Sequence, residues 1–242
     1  LVRRAREMCR VVVVSIFSSP PELAPVETLE GARPVRLAER PRYLSSDVER
    51  LSPLGVDYVF APPVKEIFAE GSCTEVVVKG LSERLYGATH PERFIQMTTS
   101  LAVLFNLIRP DFAFFGLKDA QQVATVNRLV RDLHFDVEIC VCPMVREADG
   151  LAASSENALL SEPERQAATV LYHALERAQV LVAAGERDTA SIIKSMRELI
   201  ELQPLAKIDH VSIVDSETLE PIAAIGERPA LVTLAGFIGK TR

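Results

Sequence analysis

The chain has 242 residues, of which 48% are hydrophobic and 25% charged, a balance that suits a folded protein with a filled core and excludes a disordered or fibrous one. The formal net charge of -6 gives no bulk attraction to phosphate backbones or anionic membranes, so neither nucleic acid nor a membrane is expected as a partner. Four cysteines, Cys9, Cys73, Cys140 and Cys142, are too few and too scattered for a disulfide framework, which fits a reducing cytoplasm.

Leu1 to Cys9 has apolar positions near the helical repeat with arginines opposite, and the β-branched run Val11 to Phe17 reads as a strand covered on both faces. That run is too short to cross a membrane and precedes no cleavage pattern. Ser18 to Pro41 is proline-rich and aperiodic, a long loop of the kind that covers active sites, with disorder as the alternative. Asp47 to Leu54 follows as a short helix, Val56 to Ala61 as a second buried strand ended by Pro62 and Pro63, and Val76 to Val78 as a short strand.

Phe94 to Ile108 is expected as a helix, Phe112 to Phe115 as a strand, Gln121 to Leu133 as a helix and Val137 to Cys142 as a strand. Parallel strands need crossover connections, and helices alternating with strands supply them, so the expected class is α/β, a doubly wound parallel sheet up to about Pro143. Beyond it the pattern changes. Ser161 with Glu164 forms a capping box opening a helix to about Ala184, Gly185 ends it, and Asp188 caps another through Leu202. Ile208 to Val214 and Ala230 to Ala235 then read as strands, giving two domains, 1–143 and a smaller α+β domain, 144–242.

The stretch Phe114 to Gln122 lies where a strand's carboxyl end enters a helix, the place where ligands bind in open α/β sheets. Gly116 permits close backbone approach, the helix amino terminus favours anions, and Lys118 adds a cation suited to phosphate. With Lys118 and Gln122 four apart, one ligand could meet both on a single helix face. Read on chemistry alone, though, a lysine and an aspartate at a helix start, here Lys118 and Asp119, are more often a solvated charge and a cap. Val145 to Asn157 is a second polar stretch, whose serines could bond phosphate oxygens or which could be an ordinary turn around Asp149-Gly150. Cys140 and Cys142 share a strand face, but no second pair at ligand spacing follows, so no metal site is assigned.

Four collinear segments, Leu104 to Asp111, Phe115 to Gln122, Val145 to Ser155 and Leu160 to Arg165, together resemble the pantothenate synthetase family. The resemblance implies a Rossmann-like domain and a reaction in which ATP activates pantoate as an acyl adenylate before β-alanine displaces AMP, assisted by magnesium. By position, Gly116, Lys118, Asp119, Val145, Ser154 and Ser155 match the family's ATP contacts, Lys118 being the catalytic candidate, and Gln122 matches a glutamine that holds pantoate. A homodimer is also implied. The family's pattern departs here in several places. A central first strand and a two-histidine loop, expected ahead of Leu1, are not in the sequence, so the expected sheet lacks its first strand. The family's Asn-Pro-Thr-Gln is Ser19-Pro20-Pro21-Glu22, the acidic residue before the lysine is Leu117, the arginine after the serine pair is Glu156, and the His-Phe-Arg-Gly-Val-like segment is Arg93 to Met97. These departures leave a noncatalytic, nucleotide-binding or partner-pairing relative as the alternative to a ligase.

Overall fold

The structure is a computed structural model that describes residues 1–16 and 41–242. The expected loop from Ser18 to Pro41, with Glu22, lies outside the described residues apart from its last position. The chain divides into two compact units, Leu1–Cys142 and Pro143–Arg242.

The first unit opens with helix α1 (Val2–Met8) and strand β1 (Val13–Ser15), followed by helix α2 (Pro41–Leu51), strand β2 (Tyr58–Phe60) and the short helix α3 (Val64–Ile67). β1 and β2 are parallel, with Val14 opposite Val59. Their alignment is fixed by one ionic knot: the Asp57 carboxylate accepts from the Val12 amide at 2.7 Å and from Arg6 at 2.7 Å, while the same guanidinium donates to the Cys9 carbonyl. The Val12 amide, then Arg6, hold the Asp57 carboxyl below its ordinary value.

The expectation of two fully covered strands here fails. Val11 is 57% exposed and Tyr58 65%, and only Val12 is buried. Each strand is three residues long and, among the described residues, each pairs only with the other. Val76 to Val78 is not a strand either. Thr99 Oγ1 accepts from the Val76 amide at 2.9 Å and Thr98 Oγ1 donates to the Val76 carbonyl, so side chains of a helix take the bonds that a sheet neighbour would have made.

Helix α4 (Pro91–Ile108), strand β3 (Phe112–Gly116), helix α5 (Ala120–Asp132) and strand β4 (Glu138–Cys142) complete the unit. β3 and β4 are parallel, Phe112 facing Glu138 and Gly116 facing Cys142. Val123, Val126 and Leu129 on α5 are buried, the spacing of one helix face, and Phe105 of α4 meets Phe135 edge-on at 5.5 Å.

In the second unit the helix expected from Ser161 to Ala184 is two helices, α6 (Glu162–Ala167) and α7 (Thr169–Ala183), with a break at Ala168. The Thr169 hydroxyl takes the Gln166 carbonyl at 2.8 Å and the Leu171 amide turns back to Ala168, tightening the chain there. Glu164 reaches back to the Ser161 amide at 2.9 Å, as the capping box requires. Gly185 ends α7 at φ +98, and Asp188 accepts from the Ser191 amide at 2.9 Å to open α8 (Thr189–Glu201).

Strands β5 (Ala206–Asp215) and β6 (Ala230–Ile238) form an antiparallel pair, with a register shift between Ile208 and His210. Ala174 and Ala178 of α7, Ile192, Met196 and Ile200 of α8, and Val211 and Ile213 of β5 make the core. The alanines are one turn apart, and their small size allows a close approach that larger side chains would prevent.

Candidate active site

Gly116 ends β3 with φ −89, and a Cβ built on it meets nothing within 4 Å among the described residues. The backbone therefore does not require glycine there; what glycine leaves is room for a ligand to approach. Lys118 and Asp119 follow in a single 3-10 turn, Leu117–Asp119, and both are exposed.

This corrects the shared-face expectation. α5 begins at Ala120, so Lys118 precedes the helix and the four-residue spacing to Gln122 does not place both on one helical face. The tight turn has fewer residues per turn than an α-helix and rotates Lys118 off that line. Asp119 occupies the cap position but makes no side-chain capping bond.

The two adjacent glutamines have different work. Gln121 is buried and donates from Nε2 to the carbonyls of Leu81 at 2.8 Å and Arg84 at 2.6 Å, holding the segment before α4. Gln122 is half-buried, and its Nε2 donates to Met97 Sδ of α4 at 3.2 Å. A thioether is a weak acceptor, so this amide retains capacity for a stronger partner.

In the second unit Val145 to Asn157 folds back as a hairpin: the Ala153 amide donates to the Val145 carbonyl at 2.9 Å, the Glu147 amide to the Leu151 carbonyl at 2.8 Å, and the Gly150 amide to the Glu147 carbonyl at 2.9 Å, closing the turn. Arg165 of α6 clamps it, donating to Asp149 at 2.7 Å and 3.2 Å and to Glu147 at 2.7 Å. Asn157 closes the other end on Glu147 at 2.6 Å and the Ala152 carbonyl at 3.0 Å. Arg165 thereby lowers the pKa of both carboxyls, and they keep its guanidinium charged.

Gly150, at φ +89, lies where a Cβ would be 2.0 Å from the Tyr172 ring, and Arg146 stacks over the same ring at 4.8 Å. The turn expected around Asp149-Gly150 is thus present, with its local bonds. It presents Val145, 72% exposed, and the serine pair. Ser154 starts a 3-10 turn, Ser155–Leu159, and its hydroxyl donates to the Glu156 carboxylate.

Arg165 and Gln121 carry no local sequence signal for these roles, because their partners are 16 to 40 residues away. Cys140 and Cys142 are free, burial raises the Cys140 thiol, and among the described residues no group of three or more His, Cys, Asp or Glu side chains could hold a metal. A cavity of about 290 Å³ near Asp215, Thr218 and Arg228 contains none of the candidate residues. Its Asp215 carboxylate is already satisfied by the Glu217 and Thr218 amides at 2.9 Å, as in an ordinary turn.

The family model described as pantoate-beta-alanine ligase matches residues 1–242. The chain belongs to the pantoate-beta-alanine ligase family. Among members of that family, the pantothenate synthetases of Koribacter versatilis and Heliobacterium modesticaldum are each 46% identical over all of this chain, which covers 80% and 83% of their respective lengths. The solved pantothenate synthetase of Thermus thermophilus is 38% identical, with a TM-score of 0.85 over 100% of this chain and 84% of that one. The α/β, Rossmann-like architecture with a further C-terminal portion is therefore the family's fold. Among the described residues no helix is long and apolar enough to cross a membrane.

Proposed function

We propose that this chain is a ligase that joins pantoate to β-alanine at the expense of ATP. The observation that carries this reading is the 46% identity to pantothenate synthetases along the whole chain. In the first step a pantoate carboxylate oxygen bonds to the α-phosphorus of ATP and pyrophosphate leaves. In the second the β-alanine amine displaces AMP from the acyl carbon, forming the amide and giving up a proton.

The roles follow the chemistry of each side chain. Gly116 leaves the carboxyl end of β3 open to the nucleotide, and Lys118 neutralises charge that builds on the phosphates during adenylation. Asp119, Val145, Ser154 and Ser155 are the further ATP contacts that the resemblance to the family assigns by position, the hydroxyls serving as donors to oxygen. Gln122 holds pantoate through its amide. Magnesium would come with ATP, held mainly by the substrate's phosphates and water, and would help neutralise their charge. We place the enzyme in the cytoplasm, as a homodimer.

The test is AMP release from ATP by the purified chain, with pantoate and β-alanine each omitted in turn. Release that requires pantoate supports the reading, and Lys118→Ala should lower it at least roughly a hundredfold, the scale of removing one transition-state contact. A folded protein that makes no AMP would instead favour a noncatalytic relative.

A further inference from the structure

Helix α4 carries three hydroxyls in succession, Thr98, Thr99 and Ser100, all buried. The first two are bonded. Thr98 Oγ1 donates to the Phe94 carbonyl at 2.9 Å and Thr99 Oγ1 to the Ile95 carbonyl at 2.7 Å, besides their bonds to Val76. Ser100 is different. It is only 6% exposed, and its Oγ has no hydrogen-bond partner among the described residues.

A buried hydroxyl left without a partner costs free energy, and a helix ordinarily offers it a carbonyl one turn back, the bond its two neighbours take. Ser100 lies one turn beyond Met97 on the same face of α4. Met97 Sδ is also the acceptor for Gln122 Nε2, at 3.2 Å. One strip of α4 therefore carries an unpartnered hydroxyl one turn from the Met97 sulfur that Gln122 uses as a weak acceptor, with the apolar Leu101 and Leu104 on the same face.

We propose that Ser100 is a specificity-determining residue of the acid subsite, its hydroxyl meeting a hydroxyl of a short, branched hydroxy acid beside the Gln122 amide. The inference rests on the ligase reading for the identity of that acid, pantoate. A hydroxyl both donates and accepts, so it can pair with a substrate alcohol in either sense, while the apolar residues cover the branched carbon skeleton.

The test compares wild-type protein with Ser100→Ala in pantoate-dependent AMP release, and measures by calorimetry the binding of pantoate and of tert-butylacetate, which has the same skeleton and no hydroxyls. Ser100→Ala should raise the KM for pantoate about tenfold, the upper range for one neutral hydrogen bond, and leave the KM for ATP unchanged. It should also weaken pantoate binding while leaving tert-butylacetate binding as it was, and it should not lower the melting temperature. Ser100→Cys, which keeps the volume more closely, makes the same comparison if the alanine variant does not fold.

An unchanged pantoate KM, equal losses for both acids, or a parallel rise in the KM for ATP would overturn the assignment. If wild-type protein released no AMP yet bound pantoate, and Ser100→Ala weakened that binding, the ligase reading would fall and the subsite would stand. Absence of pantoate binding by the wild type would overturn both.

Discussion

Gly116 and Gly150 show how the same residue type answers to different demands. Gly150 combines φ +89 with a ring 2.0 Å from any added Cβ, so Gly150→Ala should cost about 2–4 kcal/mol from left-handed strain and overpacking together, seen as a lower denaturation midpoint. Gly116 has neither constraint. Gly116→Ala should leave that midpoint nearly unchanged yet raise the KM for ATP about tenfold or more, and a midpoint that fell with the affinity would return this glycine to a structural role. Glu156 supplies the third residue-scale expectation. Its carboxylate accepts from the Ser154 hydroxyl, which on the proposed site would withdraw that donor from the nucleotide and place negative charge beside it. Glu156→Gln should lower the KM for ATP several-fold, whereas an unchanged or higher value would show that the carboxylate does not oppose the nucleotide.

At the scale of elements, the hairpin from Val145 to Asn157 depends on α6, since Arg165 reaches both Glu147 and Asp149. Replacing it with methionine keeps much of the stem and removes the fork that holds two carboxylates. The Glu147 and Ala153 amides should then exchange with solvent faster by hydrogen-exchange measurement, while the Ile192 and Met196 amides in α8 keep their protection. Uniform loss of protection would mean that Arg165 supports the whole unit. On β5, His210 is half-enclosed with Thr233 and Asp209 near its ring, and burial lowers its pKa despite the Asp209 carboxylate. A folded pKa below the ordinary 6.5 makes protonation harder in the folded state than in the unfolded one, so this residue's contribution to stability is present above 6.5 and lost as pH falls below it.

At the scale of the whole molecule, the shifted carboxyls among the described residues all point one way. Asp57 in the first unit, and Glu147, Asp149, Glu164, Glu176, Glu186 and Asp215 in the second, are held below their ordinary values of 3.8 for Asp and 4.5 for Glu by hydrogen bonds to amides, hydroxyls, guanidinium groups or a histidine. Each binds a proton more readily when unfolded. Stability from these groups is therefore complete above their ordinary values and declines as pH falls through them. Melting temperatures measured from pH 7 to pH 3 should fall most steeply below about pH 4.5, after the shallower decline that His210 introduces below 6.5. A steep loss confined to the range above pH 5 would contradict these assignments.

Much of this was legible in the chain because its causes are local. The β-branched run at Val11 to Val14, the apolar spacing of Val126 and Leu129, the Ser161 and Glu164 box, Gly185 and the Asp188 cap act through neighbours a few residues away, and each marks an element the structure contains. The collinear segments from Leu104 to Arg165 likewise identified the family, and with it the α/β fold. What the tertiary structure decided depends on distant partners. Only packing set the exposure of Val11 and Tyr58, gave the Val76 backbone to two threonines, separated the buried clamp Gln121 from the half-buried Gln122, brought Arg165 to Asp149 and Glu147, and left the Ser100 hydroxyl unpartnered among the described residues. Side-chain periodicity tells which face an element buries; it carries no information about which atoms that face will meet.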